Sequence, residues 1–356
     1  MKHISLALGV LLMMGCSSCH ELNQILETGT STETVSESST GASDLDRYRV
    51  NGHELSSHGI VYEDVPYGSD SKNDYDLILP NNRAAGTLIP VVIYFHGGGF
   101  VQGNKNSLYK KPALIKEMTA LLQSGYAVAN ANYRLLETGE KEGVIKCLKD
   151  AKYLVQKMKN ESPKNGINPN KIILSGSSAG ASMALWLALN DDMADKESSN
   201  PVLRESTRVA GVVAENAQST LDLVRWEDVF KEYNWKYNEG LDEEMKARLY
   251  GMYGLSAPSG NVDRSAFENA TSDYRHKVDF ASFMDAGDPP LFIANKPNLD
   301  GPPTEKNLIF HHREHAHYLE MQSAKVGGNF DAGNEFYYLT NPKSKDVLDF
   351  VDRVFK

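Results

Sequence analysis

The sequence is poor in cysteine, in basic runs and in long apolar stretches, and each shortage removes a class of answer. Three Cys in 356 residues cannot staple a disulfide scaffold. Asp and Glu outnumber Lys and Arg 47 to 37, a net charge of -10, and no run of basic residues offsets that balance locally. A phosphate backbone would be repelled, so nucleic acid is not expected as a partner. No apolar run reaches the ~18 residues that a membrane-spanning helix needs. What is there is an acidic chain, 41% hydrophobic, long enough to bury a full core in one large domain or two ordinary ones.

Lys2 and His3 precede an apolar stretch, Ile4 to Met14, that reads as an export signal over residues 1–15. Its end, Leu12-Met13-Met14-Gly15-Cys16, is similar to a bacterial lipoprotein signal, in which the Cys becomes the lipidated first residue of the mature chain. An ordinary secretory signal with incidental Cys16 and Cys19 is the alternative. Both readings place the protein outside the cytoplasm, lipid-anchored to a bacterial membrane or secreted. Residues 16–48 are expected to be a disordered polar tether, since Val35 is the single large aliphatic residue between Thr28 and Asp44.

From about residue 49 short apolar runs alternate with amphipathic stretches. That pattern predicts an α/β domain, a mainly parallel sheet with helices on both faces. Gly59 to Val65 and Tyr75 to Leu79 read as a leading antiparallel pair, and Pro90 to Phe95 as a fully buried strand. Further strands are expected at Tyr126 to Asn130, Lys171 to Leu174, Val209 to Ala214, Pro290 to Ala294 and Phe336 to Leu339. Helices are expected over Leu108 to Leu122, Val144 to Lys159, Ala179 to Leu189 and Lys345 to Phe355. Cys147 shares a helical spacing with Val144, Leu148, Ala151, Leu154, Val155 and Met158, which predicts a buried free thiol. About 220–285 the chain gathers Trp226, Tyr233, Trp235, Tyr237, Tyr250 and Tyr253 among many charges, the signature of an inserted helical region that would form a lid or an acyl-site wall.

Two motifs carry chemistry. Lys171-Ile172-Ile173-Leu174-Ser175 runs into Gly176-Ser177-Ser178-Ala179-Gly180, a strand, a glycine turn and a helix, which is the context of a nucleophile elbow that lifts the Ser178 hydroxyl above the sheet. Upstream, His96-Gly97-Gly98-Gly99-Phe100 follows directly on a buried strand. Glycines there let backbone N–H groups approach an oxygen that turns negative, so Gly98, Gly99 and Ala179 are the candidate oxyanion hole. His96 is expected to brace this loop. Neither motif calls for a cofactor or a metal.

The order of His96-Gly97-Gly98-Gly99-Phe100, Asn132-Tyr133-Arg134-Leu135, Asn168-Pro169-Asn170-Lys171 and Gly176-Ser177-Ser178-Ala179-Gly180 resembles the α/β-hydrolase carboxylesterases, especially the hormone-sensitive-lipase-like and feruloyl- or acetyl-esterase-like branches. The resemblance covers most of Tyr75 to Ala188. It implies an α/β-hydrolase fold and a serine ester hydrolase acting on short acyl or aromatic esters. For a protein outside the cytoplasm, polysaccharide esters become a natural substrate by fold analogy.

The resemblance breaks at the base. Such enzymes place their His after the last strand and their Asp after the strand before it, and no His follows His317. Histidines cluster instead in Asn307-Leu308-Ile309-Phe310-His311-His312-Arg313-Glu314-His315-Ala316-His317, where the Asp would stand. His311 or His312 is the candidate substitute base. A metal pair at His311 and His315, with Glu314 beside them, competes for the same residues, but no Cys or second His pair completes a tetrahedral set. Asp300 and Glu314 are the carboxylates nearest in sequence. A hydrolase-fold binding lipoprotein that has lost turnover with the displaced base is the rival function; a peptidase is a weaker one.

Overall fold

The computed structural model describes residues 44–260, 263–296, 298–332 and 343–356. The expected signal, most of the tether and the expected strand at Phe336 to Leu339 lie outside the described residues. In chain order the elements are β1 (Arg49–Val50), β2 (Gly59–Pro66), β3 (Asp74–Pro80), β4 (Ile89–Phe95), α1 (Asn106–Tyr109), α2 (Pro112–Gln123), β5 (Ala127–Ala131), α3 (Ile145–Asn160), α4 (Ser162–Asn165), β6 (Ile167–Ser177) and α5 (Ala179–Leu189). They continue with β7 (Gly211–Glu215), α6 (Trp226–Val229), α7 (Glu243–Gly251), α8 (Arg264–Val278), β8 (Leu291–Ala294), α9 (Lys306–His311), α10 (Arg313–Val326), β9 (Phe330–Ala332) and α11 (Val347–Phe355).

Among the described residues one sheet holds nine strands in the order β1-β2-β3-β5-β4-β6-β7-β8-β9. β1, β2 and β3 run antiparallel at one side, as their alternating pattern predicts, and every pairing beyond β5 is parallel. Successive side chains of a strand point to opposite faces, and the core divides accordingly. Val91, Ile93 and Phe95 of β4 and Ile172 and Leu174 of β6 face the larger core with α3, α5 and the insertion. Val92, Tyr94 and Ile173 face the smaller one with α2 and α11. α5 is buried along its whole length, as a helix apolar on every side must be.

Four expectations need correction. The fold begins before residue 49: Asp44–Tyr48 form a 3₁₀ turn that buries Leu45 in the core. The single helix expected over Leu108 to Leu122 is two, because Pro112 forces Lys111 into an extended conformation (φ -114°, ψ 103°) and starts α2 afresh. β6 starts at Ile167, well ahead of Lys171, and the three-residue β9 had no expected counterpart. Cys147, as expected, is a buried free thiol; its Sγ–H donates to Arg134 O at 3.0 Å.

Candidate active site

Ser178 stands between β6 and α5 with φ 54° and ψ -117°, a positive φ that a non-glycine residue holds only when its surroundings impose it. What imposes it is close backbone packing on both sides. Ser178 N–H donates to Glu215 O at 2.9 Å on the neighbouring strand end. Behind the turn Gly180 lies so near β4 that a Cβ there would sit 2.1 Å from Phe95 O. The serine hydroxyl therefore projects into a cavity of about 520 Å³, within the range of small-molecule sites.

Gly98, Gly99 and Ala179 line the same cavity. Gly98 (φ 128°) and Gly99 (φ 60°) bend the loop after β4 toward Ser178, and Ala179 opens α5, where a backbone N–H has no intrahelical acceptor. The loop is braced from behind. His96 Nδ1–H donates to Gly97 O at 2.8 Å and its ring stacks on Tyr133 at 4.3 Å, while Tyr133 O–H donates to His96 O at 2.8 Å. Burial lowers the His96 pKa to about 4, so the ring is neutral and acts as a brace. The neighbours of Tyr133 are themselves held in place: Asn132 Oδ1 accepts from Lys105 N at 2.7 Å, and Arg134 pairs with Asp150 at 2.6 Å.

The four clustered histidines separate into four environments. His311, the last residue of α9, places Nε2 2.9 Å from Ser178 Oγ. Burial, together with the positive charges of Arg248 and Lys296, lowers its pKa to about 4, which keeps the ring neutral and able to accept a proton at neutral pH. His312 does not reach the serine. It caps α10, its Nδ1 accepting from Glu314 N at 3.1 Å and its Nε2–H donating to Gly301 O at 2.8 Å. His315 is fully buried; Ser219 N donates to its Nδ1 at 3.2 Å and its Nε2–H donates to Ile309 O at 2.9 Å. His317 is exposed and lies 3.4 Å from Glu320. His311 and His315 thus belong to different helices, and both ring nitrogens of His315 are occupied, which is not the geometry of a metal pair. Asp300 and Glu314 both face Arg313, at 3.6 and 3.5 Å.

Gln218 and Arg248 also line the cavity, and no motif announced either. Gln218 accepts from Ser182 Oγ at 2.7 Å and donates Nε2–H to Phe310 O at 2.6 Å, tying α5 to the residue before His311. Arg248 comes from α7 in the insertion. The expectation for the insertion is corrected in one respect: Leu221, Arg248 and Met252 form its share of the wall, whereas Trp226 turns inward. Trp226 donates Nε1–H to Thr220 O at 2.8 Å and packs edge-on against Phe310 and His315, at 5.6 and 5.0 Å. The insertion's aromatics support the histidine segment more than they face substrate.

The sequence model of the BD-FAE family matches residues 75–297, more than half of the chain and a span that holds the glycine loop after β4 and the turn at Ser178. "Probable carboxylesterase 1" of Arabidopsis thaliana is 26% identical over 165 residues, covering 44% of this chain and 49% of that protein. The chain spans about half or less of the length of the relatives it matches. Among solved structures, a truncated form of a carbohydrate esterase from gut microbiota has a TM-score of 0.58 at 16% identity, covering 83% of this chain and 94% of that one. The apo form of Thermogutta terrifontis esterase 2 has a TM-score of 0.51 at 19% identity, covering 77% and 82%. Sheet order, elbow and family match agree: the fold is that of the α/β hydrolases, and the chain belongs to the BD-FAE family.

Proposed function

We propose that this chain is a serine carboxylic-ester hydrolase acting on short acyl or aromatic esters, among them esters of polysaccharides. The observation that carries the reading is the 2.9 Å approach of His311 Nε2 to Ser178 Oγ, in a cavity that the glycine loop also lines. Ser178 Oγ attacks the ester carbonyl while His311 takes its proton. Gly98, Gly99 and Ala179 N–H groups meet the tetrahedral oxyanion, a contribution of about 10²–10³ in rate per donor. Collapse expels the alcohol, which receives the proton from His311. Water then attacks the acyl-serine, His311 takes its proton, and the acid leaves as Ser178 regains it. Similarity to a carbohydrate esterase supports the polysaccharide substrate.

The test uses the purified chain and a short-chain chromogenic ester, with Ser178→Ala beside it. Turnover in the parent and its loss in the variant is the expected outcome. Turnover that survives Ser178→Ala defeats the mechanism, and no turnover of any acyl ester favours the binding protein. The extracytoplasmic, lipid-anchored location rests on the Leu12 to Cys16 segment. Cys16→Ser should move the protein out of the membrane fraction; unchanged fractionation would defeat the anchor.

A further inference from the structure

The cavity over Ser178 has a charge opposite in sign to the chain. The net charge is -10, yet the charged side chains among the described residues lining the cavity are Lys111, Arg248 and Lys306, with no Asp or Glu. Lys111 and Lys306 are exposed, and Lys306 already pairs with Glu244 at 2.6 Å. Arg248 differs from both. It is half-buried and reaches the oxyanion loop so closely that a Cβ on residue 99 would lie 1.6 Å from its Nη2. Its guanidinium lies over Phe310, with Cζ 5.2 Å from the ring centroid.

The other arginines that the insertion buries in part each face a carboxylate: Arg225 meets Asp279 at 3.1 Å, Arg264 meets Glu227 at 2.7 Å and Arg275 meets Asp222 at 3.2 Å. Arg248 forms no ion pair among the described residues; Glu244, one turn earlier on α7, turns to Lys306. Burial pulls the Arg248 pKa below its ordinary value, and the charge of Glu244 offsets this only in part, the mark of a cation held partly away from water without a direct ion pair. A charge kept in that state beside Ser178 is placed to receive an anion brought by the ligand.

We infer that Arg248 receives a carboxylate carried by the substrate, a few bonds from the scissile carbonyl, so that the ester hydrolysed at Ser178 is an anionic one. The inference rests on the hydrolase reading of Ser178 and His311. A planar guanidinium matches a carboxylate with two parallel N–H···O bonds, which would set the position of the carbonyl against the oxyanion loop as well as add affinity. The carboxylate has two sources: the acyl side, as in a half-ester of a dicarboxylic acid, or the alcohol side, as in an O-acylated uronic acid.

Two matched pairs of substrates, offered to the full chain, test the inference and separate the sources. Monoethyl glutarate is compared with ethyl pentanoate, and an O-acetylated methyl glucuronide with the O-acetylated methyl glucoside. The expected result is a kcat/KM preference for the anion of roughly 10- to 100-fold in at least one pair, which identifies the side. The preference should shrink as salt is raised, vanish in Arg248→Gln and survive in part in Arg248→Lys. Thermal melts of both variants separate loss of preference from loss of fold. Ratios near unity in both pairs overturn the inference. So does an equal loss on charged and neutral esters in a folded Arg248→Gln, which would make Arg248 a direct oxyanion donor. If none of the four esters is turned over, the hydrolase reading fails, and calorimetric titration with monomethyl and dimethyl glutarate decides the site alone. Selective binding of the anion, lost in Arg248→Gln, supports it; equal or absent binding overturns it.

Discussion

The two halves of the candidate active site are built in opposite ways. Ser178 is placed by its immediate neighbours in sequence: a buried strand, two glycines that permit close backbone approach, and a helix that starts one residue later. His311 is placed by residues far away along the chain. Gln218 holds Phe310 O across 92 positions, His315 holds Ile309 O, and the His312 cap separates α9 from α10. Backbone geometry at the turn leaves Ser178 one place to stand. The position of His311 depends on a few side-chain hydrogen bonds and on the packing of Trp226 beneath it, so its half of the site should be the easier to disturb without unfolding the domain.

The largest break in that comparison is His311→Ala against His312→Ala. The first should lower kcat/KM on a chromogenic ester by about 10⁴-fold or more, as loss of a triad base does. The second should act through stability, at about 1 kcal/mol for a lost cap, read by chemical denaturation. Equal loss of activity in two folded variants would mean that the 2.9 Å contact is not the catalytic one. Trp226→Ala removes a fully buried ring and should cost about 3–5 kcal/mol in the same unfolding assay, with kcat falling further than in a surface control. On the elbow side, Gly180→Ala drives a methyl toward Phe95 O and should destabilise by about 1–3 kcal/mol. Gln218→Ala leaves Phe310 O without its donor and Ser182 Oγ without its acceptor; kcat should fall roughly tenfold and stability by about 1–3 kcal/mol, less than in Trp226→Ala.

The smallest expected effect is the dependence on pH. His311 and His315 have folded pKa values lowered from 6.5 to about 4 and about 3, so between those values and 6.5 the unfolded chain binds more protons than the folded one. Their stabilising share is complete above 6.5 and lost progressively as the pH falls toward 4. The melting temperature should fall across that window. The acid limb of kcat/KM should have an apparent pKa near 4, and a limb near 6.5 would show a base other than the His311 seen here.

What the sequence disclosed follows the same division. Strand β4, the glycine loop, the elbow and α5 were legible because each is a local pattern whose residues dictate their own conformation. The break at Pro112 was also legible in principle, since the residue before a proline is biased away from the helix. The choice between His311 and His312 was not: adjacent residues on either side of a helix boundary point in different directions, and at that boundary His312 leaves the helical conformation (ψ 144°) to cap α10. Arg248 was invisible for a related reason. Nothing in Lys246-Ala247-Arg248-Leu249 says that Arg248 of α7 reaches the glycine loop after β4, and only the missing side chain of Gly99 leaves room for it. The aromatic composition of the insertion drew attention to rings such as Trp226 that turn inward, because composition marks where apolar area lies without saying which way it faces.

The buried thiol on α3 gives the molecule a built-in clock. Cys147 is enclosed, its Sγ–H bonded to Arg134 O, and burial pushes its pKa up to about 12, so an alkylating reagent finds neither access nor thiolate in the folded state. Arg134 follows Tyr133, whose hydroxyl holds His96 O at the start of the glycine loop. The rate at which a peptide containing Cys147 becomes labelled therefore measures how often the platform beneath that loop comes apart, on a chain that is otherwise native.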